Sequence, residues 1–333
     1  MSERPQEPER DADADVDAAD AGGEPAPLPV DGAAAVTERI VENVERVIVG
    51  QHDAIEHILI AVLARGHLLL EDVPGVGKTM LARAVATSVD CSFKRVQFTP
   101  DLLPSDVTGV NVFNQKTNEF EFQPGPVFAN VVLGDEINRA PPKTQAALLE
   151  AMEEEQVTVD GETRTLPDPF VVIATQNNVE SGRTYDLPMA EVDRFAKQLA
   201  LGYPDEEEET ALLGRVAGRH PIRSLDPVAS VTDVRRARRT VDEVDVREPV
   251  RNYVTRLAAY TRENAALGVS PRGSIAAVRT AQARAVLRGR SFVTPDDVQT
   301  ELPTVWSHRV DPGNAAPSGR AVVDAALEEV AVE

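Results

Sequence analysis

The sequence predicts an α/β fold in which a parallel sheet is covered by helices on both faces and a small all-helical domain follows. Three observations predict it. Short apolar segments such as His67–Leu70, Asn130–Leu133 and Phe170–Ala174 alternate with segments of helical periodicity, as expected for strands buried on both faces. A glycine-rich turn follows the first of these strands. Beyond about residue 228 every segment has helical periodicity.

Length, charge and lysine content limit the classes of protein to which the chain can belong. The chain has 333 residues and a formal net charge of −21. Residues 1–35 carry ten acidic and two basic side chains, a net charge of −8, which leaves −13 for the remainder. Only five of the 34 basic residues are lysines. This suggests the hypothesis of a halophilic protein adapted to high intracellular salt, and the alternative is ordinary acidity that maintains solubility.

Charge and cysteine content argue against several classes of protein. An acidic chain is a poor candidate for general nucleic-acid binding, which relies on a basic surface. Cys91 is the single cysteine, so no intrachain disulfide is expected and the chain is interpreted as cytoplasmic. No apolar run approaches the roughly 20 residues of a membrane span. The N-terminus is acidic, where a signal peptide would require a basic region.

Four regions are expected along the chain. Residues 1–35 are a low-complexity tail that we expect to be disordered, because it has too few large apolar side chains to offset the entropy of ordering. The α/β core is expected over residues 36–203 and the helical domain over residues 204–315. Residues 316–333 are expected to form a short amphipathic helix or a frayed tail.

Apolar spacing and turn residues predict the individual elements. In the core, helices are predicted at Val36–Val49, 53–65, Met80–Val89 and Pro142–Glu155, and strands at His67–Leu70, Phe93–Phe98, Asn130–Leu133 and Phe170–Ala174. Alternation around polar turns predicts two β-hairpins, at residues 110–122 and 156–166. Beyond the core, helix starts are predicted at Asp205, Thr232, Glu248, Ser270 and Thr294, mostly from capping residues and proline.

The turn after the first strand predicts a phosphate-binding loop. Its sequence is Pro74-Gly75-Val76-Gly77-Lys78-Thr79-Met80. Small residues let backbone N–H groups surround an anion, and the helix N-terminus adds partial positive charge. Lys78 is expected to reach the β- and γ-phosphates, and Thr79 to offer its hydroxyl to Mg²⁺. Asp72 replaces the first glycine of the usual motif, so its carboxylate should point away. The alternative is a generic glycine-rich turn.

An acidic pair predicts the second half of the site. Asp135 and Glu136 follow the apolar strand Asn130–Leu133, and open parallel sheets bind ligands at the carboxyl edge of their strands. Asp135 is expected to hold Mg²⁺, directly or through water. Glu136 is expected to orient and deprotonate an attacking water. The alternative is a pair of surface acids after a buried strand.

Three further residues are candidates for the same chemistry. Asn177 lies just past the strand Phe170–Ala174, where it can touch the γ-phosphate and the attacking water, although a turn-forming asparagine is the alternative. Arg194 either pairs with Asp193 and caps a helix or, in a ring, reaches a neighbour's γ-phosphate. Arg272 is in the first turn of a helix, where it opposes the macrodipole. It is expected to contact the phosphate of its own subunit.

Eight short motifs are spread along the chain. They are Ile-Val-Gly-Gln (48–51), Leu-Leu-Glu-Asp-Val-Pro-Gly-Val-Gly-Lys-Thr (69–79), Gln-Phe-Thr-Pro-Asp-Leu-Leu-Pro-Ser-Asp (97–106), Phe-Gln-Pro-Gly-Pro-Val-Phe-Ala-Asn (122–130), Asp-Glu-Ile-Asn-Arg-Ala-Pro-Pro-Lys-Thr-Gln (135–145), Ala-Thr-Gln-Asn (174–177), Val-Asp-Arg-Phe (192–195) and Ser-Pro-Arg (270–272). Together they resemble the motifs of the MoxR family of AAA+ ATPases. The resemblance covers about residues 36–310, nearly the whole chain outside the two tails.

The resemblance implies a role for each candidate residue. Walker A would be Lys78 and Thr79, and Walker B would be Asp135 and Glu136. Sensor 1 would be Asn177, the arginine finger Arg194 and sensor 2 Arg272. Gly50 and Gln51 would lie beside the adenine. The family usually has proline after the sensor asparagine; this chain has Asn178, which affects the expected position of the sensor.

The resemblance also implies a biological setting. The expected cofactors are ATP and Mg²⁺, and the expected assembly is a hexameric ring. Such proteins act as chaperone-like remodelers, often with proteins that carry a von Willebrand factor A-type domain, in metal insertion or complex maturation. The hairpin at 110–122 would be an insert in the second core helix, and the hairpin at 156–166 would precede sensor 1. ATP hydrolysis would move the helical lid against the core.

Two other functions stay open from the sequence. One is a nucleic-acid-dependent motor, for which a run of arginines is the candidate contact surface: Arg235, Arg236, Arg238 and Arg239. We favour a solvated helix face paired with nearby acids, namely Asp233, Asp242 and Glu243. The other is a nucleotide-gated scaffold with little turnover.

Overall fold

Strands and helices alternate along the first part of the chain, and helices alone follow. The computed structural model describes residues 25–71, 75–176, 185–216, 222 and 225–332. The helices are α1 Val30–Glu45, α2 His52–Leu63, α3 Lys78–Ser88, α4 Pro104–Thr108, α5 Pro142–Glu154, α6 Met189–Val192, α7 Glu206–Val216, α8 Val231–Asp242, α9 Glu248–Glu263, α10 Pro271–Leu287, α11 Pro295–Trp306 and α12 Gly319–Glu329. The strands are β1 Leu68–Glu71, β2 Phe93–Gln97, β3 Gly109–Asn114, β4 Glu119–Pro124, β5 Val131–Asp135, β6 Gln156–Val159, β7 Glu162–Thr165, β8 Val171–Gln176 and β9 Lys197–Leu199.

The central sheet is parallel, as the apolar strand segments predict. Its five strands lie in the order β2-β5-β8-β1-β9, and every neighbouring pair is parallel. The register pairs Gln97 with Asp135 and Leu70 with Thr175. The carboxyl ends of β1, β2, β5 and β8 therefore meet at one edge, where open α/β sheets bind ligands.

The two faces of the sheet belong to different hydrophobic clusters. Leu68, Leu133 and Ile173 face a cluster that also contains α1, α2 and α3. Leu69 and Val132 face the opposite cluster, which contains the apolar side of α5. This alternation along each strand is the period of two of extended backbone, and it explains why successive residues are apolar in the central part of β1, β5 and β8.

The last strand of the sheet, β9, is not predicted from the sequence. It has three residues, Lys197–Leu199, and pairs with β1 alone. Two of its three residues are polar, so no apolar run marks it. Lys197 is nevertheless fully buried, because tertiary contacts satisfy its charge. Pairing with the neighbouring strand determines the strand here, rather than local propensity.

The first helix begins earlier than the sequence predicts. The sequence predicts disorder through residue 35 and a helix from Val36, but α1 begins at Val30 and Ala33 is fully buried. The Thr240 hydroxyl donates to the carbonyl of Leu28 at 2.7 Å. The expectation of disorder is therefore wrong for residues 25–35, which pack against α8, and residues 1–24 lie outside the described part of the chain.

The helical region shares a core with the sheet. One hydrophobic cluster contains Leu68 and Leu199 of the sheet together with Leu302 and Trp306 of α11. The predicted change at residue 204 is therefore a change in secondary structure and not a boundary in packing. At the C-terminus, α12 is a helix with a buried face, so the frayed-tail alternative for residues 316–333 is excluded over Gly319–Glu329.

Both predicted hairpins are present. Strands β3 and β4 pair antiparallel, with Phe113 opposite Phe120. Both rings are exposed, and their centroids are 5.3 Å apart. The hairpin β6–β7 turns at Asp160 and Gly161, both with positive φ, as the Asp-Gly pair predicts. Within the described ranges, no helix combines the length and apolar character needed to cross a bilayer.

Candidate functional site

The glycine-rich turn delivers the chain into α3. Gly75 and Gly77 have φ of 89° and 93°, a left-handed conformation that glycine adopts without strain. A Cβ atom at either position would meet nothing within 4 Å, so backbone conformation and not space requires glycine. Gly77 is the residue that precedes the first turn of α3, where unpaired N–H groups point outward. Asp72 and Pro74 lie outside the described residues.

This turn and the acidic pair lie around one cavity of about 440 Å³. Its lining residues come from the start of α3 and the ends of three neighbouring strands. They are Gly75, Gly77, Lys78, Thr79, Met80, Arg95, Gln97, Asp135, Glu136 and Thr175. The structure therefore brings together the two halves of the site that the sequence predicts. Val76 belongs to the same turn but is not in the lining.

Asp135 is held by contacts to both of its carboxylate oxygens. Oδ1 accepts a hydrogen bond from the Thr175 hydroxyl at 2.7 Å, and Oδ2 accepts one from Nε of Arg95 at 3.1 Å. Thr79 lines the same cavity. A carboxylate and a hydroxyl are the hard oxygen donors that Mg²⁺ takes from a protein when phosphates and water complete its shell. These residues fit a magnesium ion, and the Arg95 guanidinium supplies the positive charge beside Asp135 in this structure.

Glu136 has a backbone conformation that is unusual for a glutamate. Its φ and ψ are 57° and 50°, in the left-handed region, which costs about 1–3 kcal/mol for a residue with a side chain. Its N–H donates to Oγ1 of Thr175 at 2.8 Å. Oε2 of Glu136 accepts hydrogen bonds from Gln97 at 2.6 Å and from Arg139 at 2.9 Å. These contacts hold the carboxylate at the edge of the cavity.

Several residues of this site are missed by the sequence analysis. Arg95 and Gln97 are at the end of β2, Thr175 is at the end of β8, and Arg139 follows β5. NH2 of Arg95 donates to Oε1 of Gln97 at 2.9 Å, so a chain of hydrogen bonds runs from Asp135 to Glu136. Their positions in the sequence could have indicated them, because polar residues at the ends of neighbouring parallel strands meet at the same sheet edge.

A second, larger cavity lies beside the first. Its volume is about 720 Å³. It lies between the start of α2, the end of β9, the end of α11 and the start of α12. Its lining residues are Gly50, Gln51, His52, Asp53, Ala54, His57, Glu71, Gln198, Leu199, Ala200, Leu201, Pro303, Thr304, Ser307 and Arg320. Glu71 in this lining ends β1, which pairs with β8, and Thr175 of β8 lines the first cavity.

Backbone conformation favours glycine at residue 50. Its φ is 70°, a left-handed conformation that glycine adopts without strain. Nε2 of Gln51 donates to the carbonyl of Leu201 at 3.3 Å. This contact joins the loop before α2 to the segment after β9. At the floor of the cavity, burial raises the pKa of the Glu71 carboxyl, which also accepts a hydrogen bond from Gln198.

Arg194 and Arg272 line neither of these two cavities. They lie together at a third, of about 240 Å³. Each contacts a different oxygen of Glu153: Nε of Arg194 is 3.3 Å from Oε2, and NH2 of Arg272 contacts Oε1. The expectation that Arg272 reaches the phosphate of its own subunit is therefore not met in this structure. The interpretation of Arg194 as a partner of Asp193 is also wrong, because Asp193 pairs with Arg309.

The remaining predicted residues are two asparagines after β8 and the arginines of α8. Asn177 and Asn178 lie outside the described residues. The arginines of α8 are predicted to form a solvated face paired with Asp233, Asp242 and Glu243, and this interpretation is only partly met. Arg239 lies 3.8 Å from Asp242, but two other arginines pair with a different acid. Arg235 and Arg238 both pair with Asp168, at 3.0 and 2.8 Å. Arg238 is buried, so these side chains do not form an open basic surface.

Comparison with known proteins gives consistent results over most of the chain. Residues 67–197 match the ATPase family associated with various cellular activities (AAA), and residues 257–330 match the AAA lid domain. The chain is 53% identical over 274 residues to the uncharacterized protein YeaC of Bacillus subtilis, covering 82% of this chain and 86% of that one. It is 40% identical to Chaperone MoxR1 of Mycobacterium tuberculosis, covering 82% and 75%.

A more distant relative and a solved structure agree. Protein MoxR of Methylorubrum extorquens is 33% identical over 298 residues, covering 82% of this chain and 86% of that one. The crystal structure of a "putative ATPase" from Cytophaga hutchinsonii has a TM-score of 0.86 at 36% identity and covers 92% of this chain and 97% of that one. Identity and fold therefore coincide over both the sheet and the helical region.

Proposed function

Since the chain belongs to the MoxR family of AAA+ ATPases, we propose that it binds and hydrolyses ATP and uses the reaction to remodel client protein complexes. The observation that carries this proposal is the 440 Å³ cavity. There the start of α3, with Lys78 and Thr79, faces Asp135 and Glu136. A helix N-terminus and an ammonium bind a triphosphate, and an acidic pair opposite them supplies a metal ligand and a base.

Each residue of the cavity has a distinct task in this proposal. Lys78 and the first N–H groups of α3 hold the β- and γ-phosphates. Thr79 and Asp135 hold Mg²⁺, which neutralises charge on the phosphate oxygens when it is bound. Glu136 takes a proton from the attacking water. Gln97 and Arg139 both donate to Oε2 of Glu136, at 2.6 and 2.9 Å, and these two contacts orient the carboxylate that takes the proton.

The 720 Å³ cavity is proposed to hold the nucleoside. Gly50 and Gln51 form one wall, and the end of α11 with the start of α12 forms another. Glu71, at the junction with the phosphate loop, is close to where the ribose would lie. The nucleotide then spans sheet and lid helices, so its binding and loss act on both.

Arg194 and Arg272 are proposed to act on a neighbouring subunit. They lie together at a third cavity, away from the phosphate cavity of their own chain. In a ring, this surface would face the next subunit's nucleotide and neutralise charge that develops on its γ-phosphate, an effect of roughly 10³–10⁵ in rate for such arginines. We propose a hexamer, as the family resemblance implies.

The setting of the reaction is also a proposal. We propose a cytoplasmic protein that works with partners carrying a von Willebrand factor A-type domain, in metal insertion or complex maturation. The relative named Chaperone MoxR1 supports a chaperone-like role. The exposed hairpin β3–β4, with Phe113 and Phe120 outward, offers an apolar contact for a client.

The substitution Glu136→Gln tests the proposal directly. It removes the base but keeps the shape of the side chain, so the variant should bind ATP with Mg²⁺ as the unmodified chain does and lose at least about 100-fold in turnover. Equilibrium binding of a fluorescent ATP analogue and steady-state phosphate release measure the two quantities. Near-normal turnover would refute the assignment of Glu136.

The same assay separates the alternatives. A nucleotide-gated scaffold would bind ATP with almost no turnover in the unmodified chain. A nucleic-acid motor would hydrolyse ATP faster when DNA or RNA is added; the internal contacts of Arg235 and Arg238 argue against it.

A further inference from the structure

The third cavity is a locally basic surface on an acidic chain. The net charge of the protein is −21, yet this cavity of about 240 Å³ is lined by more arginines than acids. The charged side chains in its lining are Arg65, Arg194, Arg272, Arg279 and Arg309, with Glu153 and Asp193. Arg65 pairs with Asp242 at 3.3 Å, and Arg309 is buried and pairs with Asp193. The guanidinium groups of Arg194, Arg272 and Arg279 are the ones suited to an anion with several oxygens.

The backbone segments that carry Arg194 and Arg272 are fixed to each other through Asp193. Its Oδ1 accepts a hydrogen bond from Nε of Arg309 at 2.8 Å, and its Oδ2 accepts one from the Ser270 hydroxyl at 2.9 Å. Ser270 also caps α10 by accepting from the N–H of Gly273 at 3.1 Å. The separation of the two backbone segments is therefore set by buried or half-buried contacts.

Glu153 then brings the two side chains together. It is the second-last residue of α5, and each of its oxygens contacts one guanidinium: Oε2 that of Arg194 and Oε1 that of Arg272. The backbone at this point is fixed as well. The carbonyl of the preceding residue, Met152, lies 3.0 Å from Nε2 of the buried His67. One carboxylate thus holds two like charges side by side.

We propose that Glu153 is a positioning residue that gathers Arg194 and Arg272 into one clamp for the γ-phosphate of the neighbouring subunit. The inference rests on the proposed function. Two long arginine side chains repel each other and sample many rotamers, and the reaction requires both in one geometry. A carboxylate between them removes the repulsion and restricts the rotamers before the phosphate arrives.

The exposure of Glu153, Arg194 and Arg272 favours the interpretation that Glu153 positions the arginines rather than stabilising the fold. The exposed fractions of the side chains are 36% for Glu153, 29% for Arg194 and 47% for Arg272. Ion pairs this exposed contribute little to the free energy of folding. Substitution of Glu153 should therefore leave the fold intact and change the reaction between subunits.

The first experiment compares Glu153→Ala and Glu153→Gln with matched substitutions of Glu154. Glu154 is the next residue of α5, is exposed, and has no ion pair within the described ranges. Both Glu153 variants should lose about 10-fold or more in maximal turnover, with ATP affinity within about twofold of the unmodified chain. The Glu154 variants should keep the normal rate. If substitutions of Glu153 and of Glu154 change maximal turnover equally and only slightly, the proposal is overturned.

The second experiment shows on which side of the subunit boundary Glu153 acts. Glu153→Ala chains have an intact acidic pair, and Glu136→Gln chains have intact arginines. Mixed rings of the two should therefore regain turnover. Mixtures of Glu153→Ala with Arg194→Ala should regain no turnover, because both substitutions alter the same side of the subunit boundary. The opposite pattern would place Glu153 in its own chain's phosphate site and overturn the proposal.

A reference mixture separates this inference from the proposed function. Arg194→Ala mixed with Glu136→Gln should regain turnover whether or not Glu153 positions the arginines. If this reference mixture fails, the proposed action of Arg194 between subunits is wrong. If it succeeds and Glu153→Ala with Glu136→Gln does not, only the role of Glu153 is wrong.

Discussion

At the scale of single residues, Glu136 combines backbone strain with a fixed carboxylate. Its left-handed backbone is held by the contact from its N–H to Thr175, and its side chain by Gln97 and Arg139. Strained residues persist where surrounding contacts determine them, often at sites of chemistry. The strain and the contacts together place one carboxylate at one point of the cavity, as a general base requires.

How much of this site the sequence predicts depends on how local the signal is. Lys78, Thr79, Asp135 and Glu136 are predictable because a turn and a strand end mark them within a few residues. Gln97 is not marked locally, because its role depends on β2 lying beside β5, which only the strand order shows.

His67 gives a prediction at the same scale. It is buried and neutral, with Nδ1 accepting from the N–H of Val172 at 3.0 Å, and burial lowers its pKa to about 4. Between about pH 6.5 and pH 4 the unfolded chain binds a proton that the folded chain does not. The free energy of unfolding should therefore fall as the pH falls through this range, by up to about 3 kcal/mol from this residue.

Denaturant unfolding of the unmodified chain and of His67→Gln checks this. Glutamine keeps one donor and one acceptor but does not titrate. The variant should lose less stability than the unmodified chain between pH 6.5 and pH 4. If the free energy of unfolding falls equally with pH in both proteins over that range, the assignment of His67 as a buried neutral base is contradicted.

At the scale of elements, the strand β9 joins the sheet to the lid through a buried ion pair. Nζ of Lys197 contacts Oε2 of Glu301 on α11, and both side chains are fully buried. Nζ also lies 2.6 Å from Nδ1 of His57, whose pKa is lowered to about 3 by burial first and then by neighbouring cations. The neutral imidazole therefore accepts from the ammonium. The sequence does not predict β9, because the partners of the buried Lys197 charge come from α2 and α11, elsewhere in the chain.

The substitution Lys197→Met should be strongly destabilising. It leaves the buried Glu301 with Arg284 at 3.3 Å and the His57 ring at 3.8 Å, and removal of one member of a buried pair costs about 3–5 kcal/mol. Lys94→Met, at an exposed position of β2, is the matched control and should change little. Urea unfolding measures both.

A companion variant tests whether the cost comes from the unpaired charge. Lys197→Met combined with Glu301→Leu removes both charges, so it should lose less stability than the two single substitutions summed. Additive losses would show that packing at β9 and not charge pairing accounts for the effect.

At the scale of the whole molecule, sheet and lid form one packed body. The hydrophobic cluster that contains α1, α2 and α3 extends through α8 to α12. The sequence predicts where strands give way to helices, but not that their apolar faces would merge, because helical periodicity shows which face is buried and not what covers it. Movement of the lid against the core must therefore work against this shared packing and the Lys197–Glu301 pair.

The acidity of the molecule gives a prediction at this scale. If the charge of −21 reflects adaptation to high salt, added KCl should raise the melting temperature, because screening reduces repulsion among the acidic side chains. Thermal unfolding at increasing KCl measures this. A melting temperature that does not change with salt would reject the halophilic hypothesis and leave ordinary solubility as the reason for the acidity.

We propose that ATP is split at a site that two subunits complete together. ATP turnover per chain, measured with Mg²⁺ against protein concentration while the mass of the assembly is followed in parallel, tests this. We predict that turnover per chain rises steeply as the chains assemble and is absent in Lys78→Ala at every concentration. Turnover per chain that is the same for dilute monomers and assembled chains, or no turnover at any concentration, would contradict it.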